Sequence, residues 1–135
     1  MKKDYWGDIA DESPENSPKA ILQEQAYLLT DKTRGELEAT VASQGSGEKI
    51  RTTLAVAAPA LNYRFDLVTV YYTLDFYPLV FSDDLTKKRH RCESEHDFRD
   101  RLKTVLSSQR TRKRLHRLLD VISKRRQSRL STQSR

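Results

Sequence analysis

YRFDLVTVYYTLDF, residues 63–76, is the stretch that most constrains the fold. It is rich in β-branched and aromatic residues, the types that fill a pleated surface. Strand side chains alternate, so Val68, Val70, Tyr72 and Leu74 fall on one face and Leu67, Thr69, Tyr71 and Thr73 on the other. Both faces carry apolar character, which predicts the central strand of a sheet.

The flanking segments supply its neighbours. Leu37, Ala39 and Val41 alternate with Glu36, Glu38 and Thr40, the pattern of a half-buried strand. In residues 49–58, Ile50, Thr52, Leu54 and Val56 share a face of a second strand. SQGSGE between them predicts a hairpin with a loop longer than two residues. YPLVF, residues 77–81, either continues the long strand after a kink or forms a short edge strand. Pro78 cannot donate a ladder hydrogen bond, which favours the edge. SDDLTKKRHRCE, residues 82–93, reads as a charged connection.

Helical spacing brackets these strands. Ser17 suits an N-cap and Pro18 the first helical position. Ile21, Leu22, Gln25, Leu28 and Leu29 then fall on one side. Ser94 with Asp97 resembles a capping box, followed by a stripe of Phe98, Leu102, Val105 and Leu106. Ser107 or Ser108 can cap a last helix carrying Leu115, Leu118, Leu119 and Ile122. Helix, strands, then two helices predicts an α+β domain: an N-terminal helix, an antiparallel meander of three or four strands, and two C-terminal helices packed on one sheet face. Residues 1–16 read as an acidic flexible tail, 17–126 as the domain, and 127–135 as a frayed basic tail. In the first tail Tyr5, Trp6 and Ile9 either dock on the domain, anchor a partner or stay loose.

Charge is unevenly shared. Residues 1–86 hold 8 Lys+Arg against 14 Asp+Glu, and residues 87–135 hold 17 against 5. Such a split suggests an acidic partner or attraction between the two halves. On a wheel of 100° per residue, Arg110, Lys113, Arg114, Arg117 and Lys124 cluster roughly 130° from the last apolar stripe, with Arg125 at the margin. Packing the stripe therefore exposes a basic face. Asp120 is the only acid inside that helix, so repulsion between neighbouring cations is little offset. Arginine forks match phosphate oxygens. Lys87, Lys88 and Arg89 precede the helix pair and extend the patch. Three readings stand: contact with DNA or RNA backbone, an acidic protein partner, or a solvated face whose terminal cations complement the helix dipole. The face lacks the Asn and Gln that pair with adenine, so backbone contact is favoured over sequence reading. Tyr and Phe on the strands are core residues before they are a stacking platform.

Chemistry is sparse. HRCESEH, residues 90–96, gathers metal-ligand types, but its spacing matches no zinc signature. Basic neighbours favour the Cys92 thiolate, though no orienting group is evident. Asp83 and Asp84 suit a turn, His116 an exposed helix position, and SQGSGEK lacks the frame of a phosphate loop. No convergent catalytic set, metal or cofactor is expected. With one cysteine, no apolar run near the roughly 20 residues of a membrane span and no signal-like segment, the chain is expected to be soluble and cytoplasmic. The expected function is a small non-enzymatic binding protein using the basic helix on nucleic-acid backbone. The alternative is an accessory or regulatory subunit with Tyr5 and Trp6 as anchors.

Overall fold

A computed structural model describes residues 3–7 and 17–133. The order is α1 (Pro18–Lys32), β1 (Glu38–Ser46), β2 (Lys49–Ala58), a 3-10 turn (Pro59–Leu61), β3 (Tyr63–Tyr72), β4 (Leu79–Asp83), β5 (Lys88–Cys92), α2 (Glu95–Leu106) and α3 (Gln109–Gln133). The strands form one antiparallel sheet in the order β1-β2-β3-β4-β5. This is the expected α+β arrangement, with β3 at the centre and one strand more than the sequence pattern indicated. The acidic stretch 8–16, with Ile9, lies outside the described residues. The pattern breaks at residue 127, yet α3 continues to Gln133.

The extra strand is β5. Its sequence, KRHRC, looks like a connection because only Cys92 is buried and four of its five residues are basic. It is an edge strand, where charged side chains are tolerated and discourage further pairing. Asp83 makes the reversal into it: its Oδ1 accepts from the Leu85 and Thr86 amides at 3.0 and 3.3 Å. β4 is consequently internal, not an edge. Pro78 sits just before its first paired residue, Leu79, so no ladder bond is lost. The β1–β2 connection also differs from expectation. Ser46 pairs with Lys49, leaving the two-residue turn Gly47–Glu48. Gly47 has φ +63°, the positive value that a type II′ turn needs at its first central position.

Caps form as the sequence indicates. Ser17 accepts from the Ala20 amide at 3.1 Å and Ser94 from the Asp97 amide at 3.2 Å. Ser108, rather than Ser107, caps α3 by accepting from the Thr111 amide at 3.3 Å. At the other sheet margin, Thr30 of α1 accepts the Ala39 amide of β1 at 3.0 Å.

All three helices send apolar side chains to one face of the sheet. Ile21, Leu22 and Ala26 of α1, Phe98, Leu102 and Val105 of α2, and Leu118 and Ile122 of α3 join Leu54, Val56, Val68, Val70, Leu79 and Phe81 in one core. A bulge in β3 alters its expected alternation. Leu54 pairs with Val68 and Ala55 with Asp66, so Leu67 is the extra residue and enters the same core as Val68. Leu28 and Leu74, expected on apolar faces, are 38% and 70% exposed.

Tyr77 carries a defect of this packing. Its hydroxyl is buried without a hydrogen-bond partner among the described residues. Burial, and then the nearby Glu95 charge, push its pKa up to about 12. An orphan polar atom costs about 1–3 kcal/mol. Tyr77→Phe is expected to raise stability by about 1 kcal/mol, read as a higher denaturant midpoint at unchanged slope. A lower midpoint would show that the hydroxyl has a stabilising partner.

Candidate nucleic-acid interface

α3 spans 25 residues, about 37 Å at the helical rise. Thr111, Leu118 and Ile122 are buried and fix its inner side. Thr111 is held there by donating to the Val105 carbonyl at 2.8 Å. With that side anchored, Arg110, Lys113, Arg117 and Lys124 fall within an arc of roughly 60° on the outer surface, and all four are exposed. Arg110, Lys113 and Arg117 make no hydrogen bond or ion pair among the described residues. Lys124 meets Asp120 at 3.1 Å, but both are largely exposed, so the pair is weak.

Arg114 departs from the expected outer face. It turns inward, donates to the Tyr63 hydroxyl at 3.0 Å and places its guanidinium 5.3 Å from the Phe65 ring centre. Arg125 reaches the Ala60 carbonyl at 3.5 Å, and Arg126 pairs with Glu36 at 2.6 Å. These three arginines border the buried stripe and fasten α3 to the sheet end and the α1–β1 connection. Arg126–Glu36 is the one ion pair among the described residues that joins the acidic and basic parts of the sequence.

The Lys87, Lys88 and Arg89 cluster is split. Strand alternation separates neighbours that a loop could have grouped. Lys87 occupies the turn at φ +64°, and Lys88 pairs with Asp83 in the row that leads to His90 and Cys92. Arg89 goes to the opposite, uncovered face, where its guanidinium lies 5.0 Å from the centre of the Tyr71 ring.

That uncovered face is a second polar surface. Register places Gln44 beside Arg51, Thr53 beside Thr69, Tyr71 beside Val80, and Val80 beside Arg91. Arg51 donates to Gln44. Thr69 and Ser82 each donate to one oxygen of Asp84, at 2.6 and 3.0 Å, and Thr53 lies 3.2 Å from Thr69. A cavity of about 630 Å³ is walled by Arg51, Arg64, Asp66, Asp84, Lys87 and Arg114, among others. A second, of about 610 Å³, adjoins it; Ile50, Tyr72, Pro78, Leu79 and Val80 make its wall largely apolar, and Lys49, Arg51, Tyr71 and Arg91 also line it. Gln44, Arg51 and Tyr71 are common to both.

The remaining candidates separate. Tyr5 and Trp6 are 89% and 80% exposed and do not dock on the domain. His116 is exposed. Cys92 is buried, and desolvation raises its pKa, so the thiol rather than the expected thiolate is favoured. No group of three or more His, Cys, Asp or Glu among the described residues could hold a metal ion. No helix among them is long and apolar enough to cross a membrane. Comparison with family models, curated proteins and solved structures found no match to this chain.

Proposed function

We propose that this chain is a non-enzymatic binding module whose α3 outer face contacts nucleic-acid backbone. The observation that supports it is the arc of Arg110, Lys113, Arg117 and Lys124, directed outward by the packing of Thr111, Leu118 and Ile122. Three of those cations have no partner among the described residues. Like charges three or four residues apart repel by a few tenths of a kcal/mol. A phosphate chain relieves that repulsion at several positions together, and it releases condensed counterions. The sheet supports this face: Arg114, Arg125 and Arg126 fasten the helix to it, so that the arc is presented as a fixed surface.

Four phosphate contacts give a slope of log K against log salt of about −3.6 on duplex DNA. Fluorescence anisotropy of a labelled duplex between 50 and 300 mM salt measures it. A slope near zero, or no binding at 50 mM, would sink this reading. A second reading, protein interaction, is favoured by Tyr5 and Trp6, which hold their rings out to solvent. Both residue types dominate interface energetics.

A further inference from the structure

The uncovered sheet face and the α3 arc are not independent surfaces. Arg110 and Arg117 stand one turn either side of Arg114, at i−4 and i+3, and therefore share its side of the helix. Arg114 itself reaches over the end of β3 and walls the first sheet cavity. The basic track thus runs from α3 through Arg114 onto the sheet. Lys87 and Arg64 continue it, Arg51 and Tyr71 stand where the two cavities meet, and Lys49 and Arg91 lie beyond.

We propose that this face holds an unpaired segment of a nucleic-acid strand, with one base against Tyr71 and the flanking phosphates on the cations of the two cavities. The proposal rests on the backbone-binding reading and names its ligand class as single-stranded. Three observations carry it. Two adjoining cavities of about 630 and 610 Å³ suit an extended ligand better than one compact anion. Cations outnumber acids in both: Arg51, Arg64, Lys87 and Arg114 stand against Asp66 and Asp84 in the first, and Lys49, Arg51 and Arg91 line the second, whose described wall holds no acid. Finally, the Tyr71 ring already accepts a flat cation, Arg89, at 5.0 Å. A base takes the guanidinium's place on that ring face, which leaves Arg89 to meet a flanking phosphate. Bases in a duplex are stacked on each other, and withdrawing one costs a few kcal/mol. The site therefore discriminates against paired strands.

The test uses the full chain and anisotropy with three labelled probes of equal length: a mixed-sequence single strand, a wholly abasic strand, and a duplex. The wild type is expected to bind the base-bearing strand about 10-fold tighter than the abasic one at equal salt, from a single aromatic stack. Tyr71→Leu, with folding verified by circular dichroism, is expected to bring the base-bearing strand down to the abasic affinity of the same variant and to leave duplex binding on α3 unchanged. Tyr71→Phe is expected to keep it. Equal binding of base-bearing and abasic strands by the wild type overturns the sheet proposal while the α3 reading stands. Failure of all three probes to bind at 50 mM salt overturns both. Because the abasic comparison uses the unaltered protein, an unfolded Tyr71 variant cannot decide the outcome.

Discussion

Changing Arg110, Lys113 and Arg117 together to glutamine is expected to flatten the salt slope of duplex binding from about −3.6 to about −0.9, because three of four phosphate contacts are lost. If the two proteins bind equally at 1 M salt, that difference makes the variant about 500-fold weaker at 0.1 M. The fold should survive. All three side chains are exposed, and exposed substitutions away from special features stay within about 0.5 kcal/mol. Removing like charges at i, i+3 and i, i+4 spacing even favours the helix slightly. Arg112→Gln is the matched control: Arg112 is also exposed but lies on the far side of α3, so its slope should stay near wild type. A folded triple variant that binds with an unchanged slope would show that the arc does not touch phosphate.

Phe98→Ala is expected to destabilise the chain by about 3–5 kcal/mol, the usual cost of truncating a buried aromatic residue. Phe98 is fully buried on α2, with its ring centre 6.2 Å from that of Phe81 on β4. This contact joins the C-terminal helices to the sheet, and α3 has its anchor Thr111 bonded to the end of α2. Domains of this size are stable by about 5–15 kcal/mol, so the loss is a large part of the total. Leu74→Ala, at a residue 70% exposed, should cost under about 0.5 kcal/mol. Urea unfolding of the two variants beside wild type checks both values. Similar midpoints for the two variants would mean that Phe98 does not join sheet and helices.

Legibility from sequence followed the physics of each element. β3 was readable because a long β-branched and aromatic run has few alternatives. The caps at Ser17 and Ser94 were readable because their partners lie within three residues. β5 was not, since KRHRC has no apolar alternation and becomes a strand only through its pairing with β4. Alternation alone puts Leu67 on the face opposite Val68, because the bulge that redirects it depends on the register with β2. The same limits governed the site. The wheel separated the Arg110, Lys113 and Arg117 arc from the core stripe, since both periodicities are local. It could not show that Arg114 has Tyr63 and Phe65 to turn toward, residues about fifty positions earlier in the chain. The arginines of the uncovered sheet face were missed for a related reason. Arg51 alternates with buried Thr52 and could be placed from sequence, but Arg89 and Arg91, on the same sheet face, lie on the strand that the pattern concealed.

The bond from the Ala39 amide to Thr30 also bears on why the sheet stops at five strands. An outermost strand recruits others through amides and carbonyls that point away from the sheet. On β1, one such amide is answered from within by α1, which interrupts the row where a visiting strand would start to zip. On β5, Lys88, Arg89 and Arg91 set a fence of like charge against any second copy approaching the same margin. The chain thus limits its own growth by two unlike means: a hydroxyl plug at one border and mutual repulsion at the other.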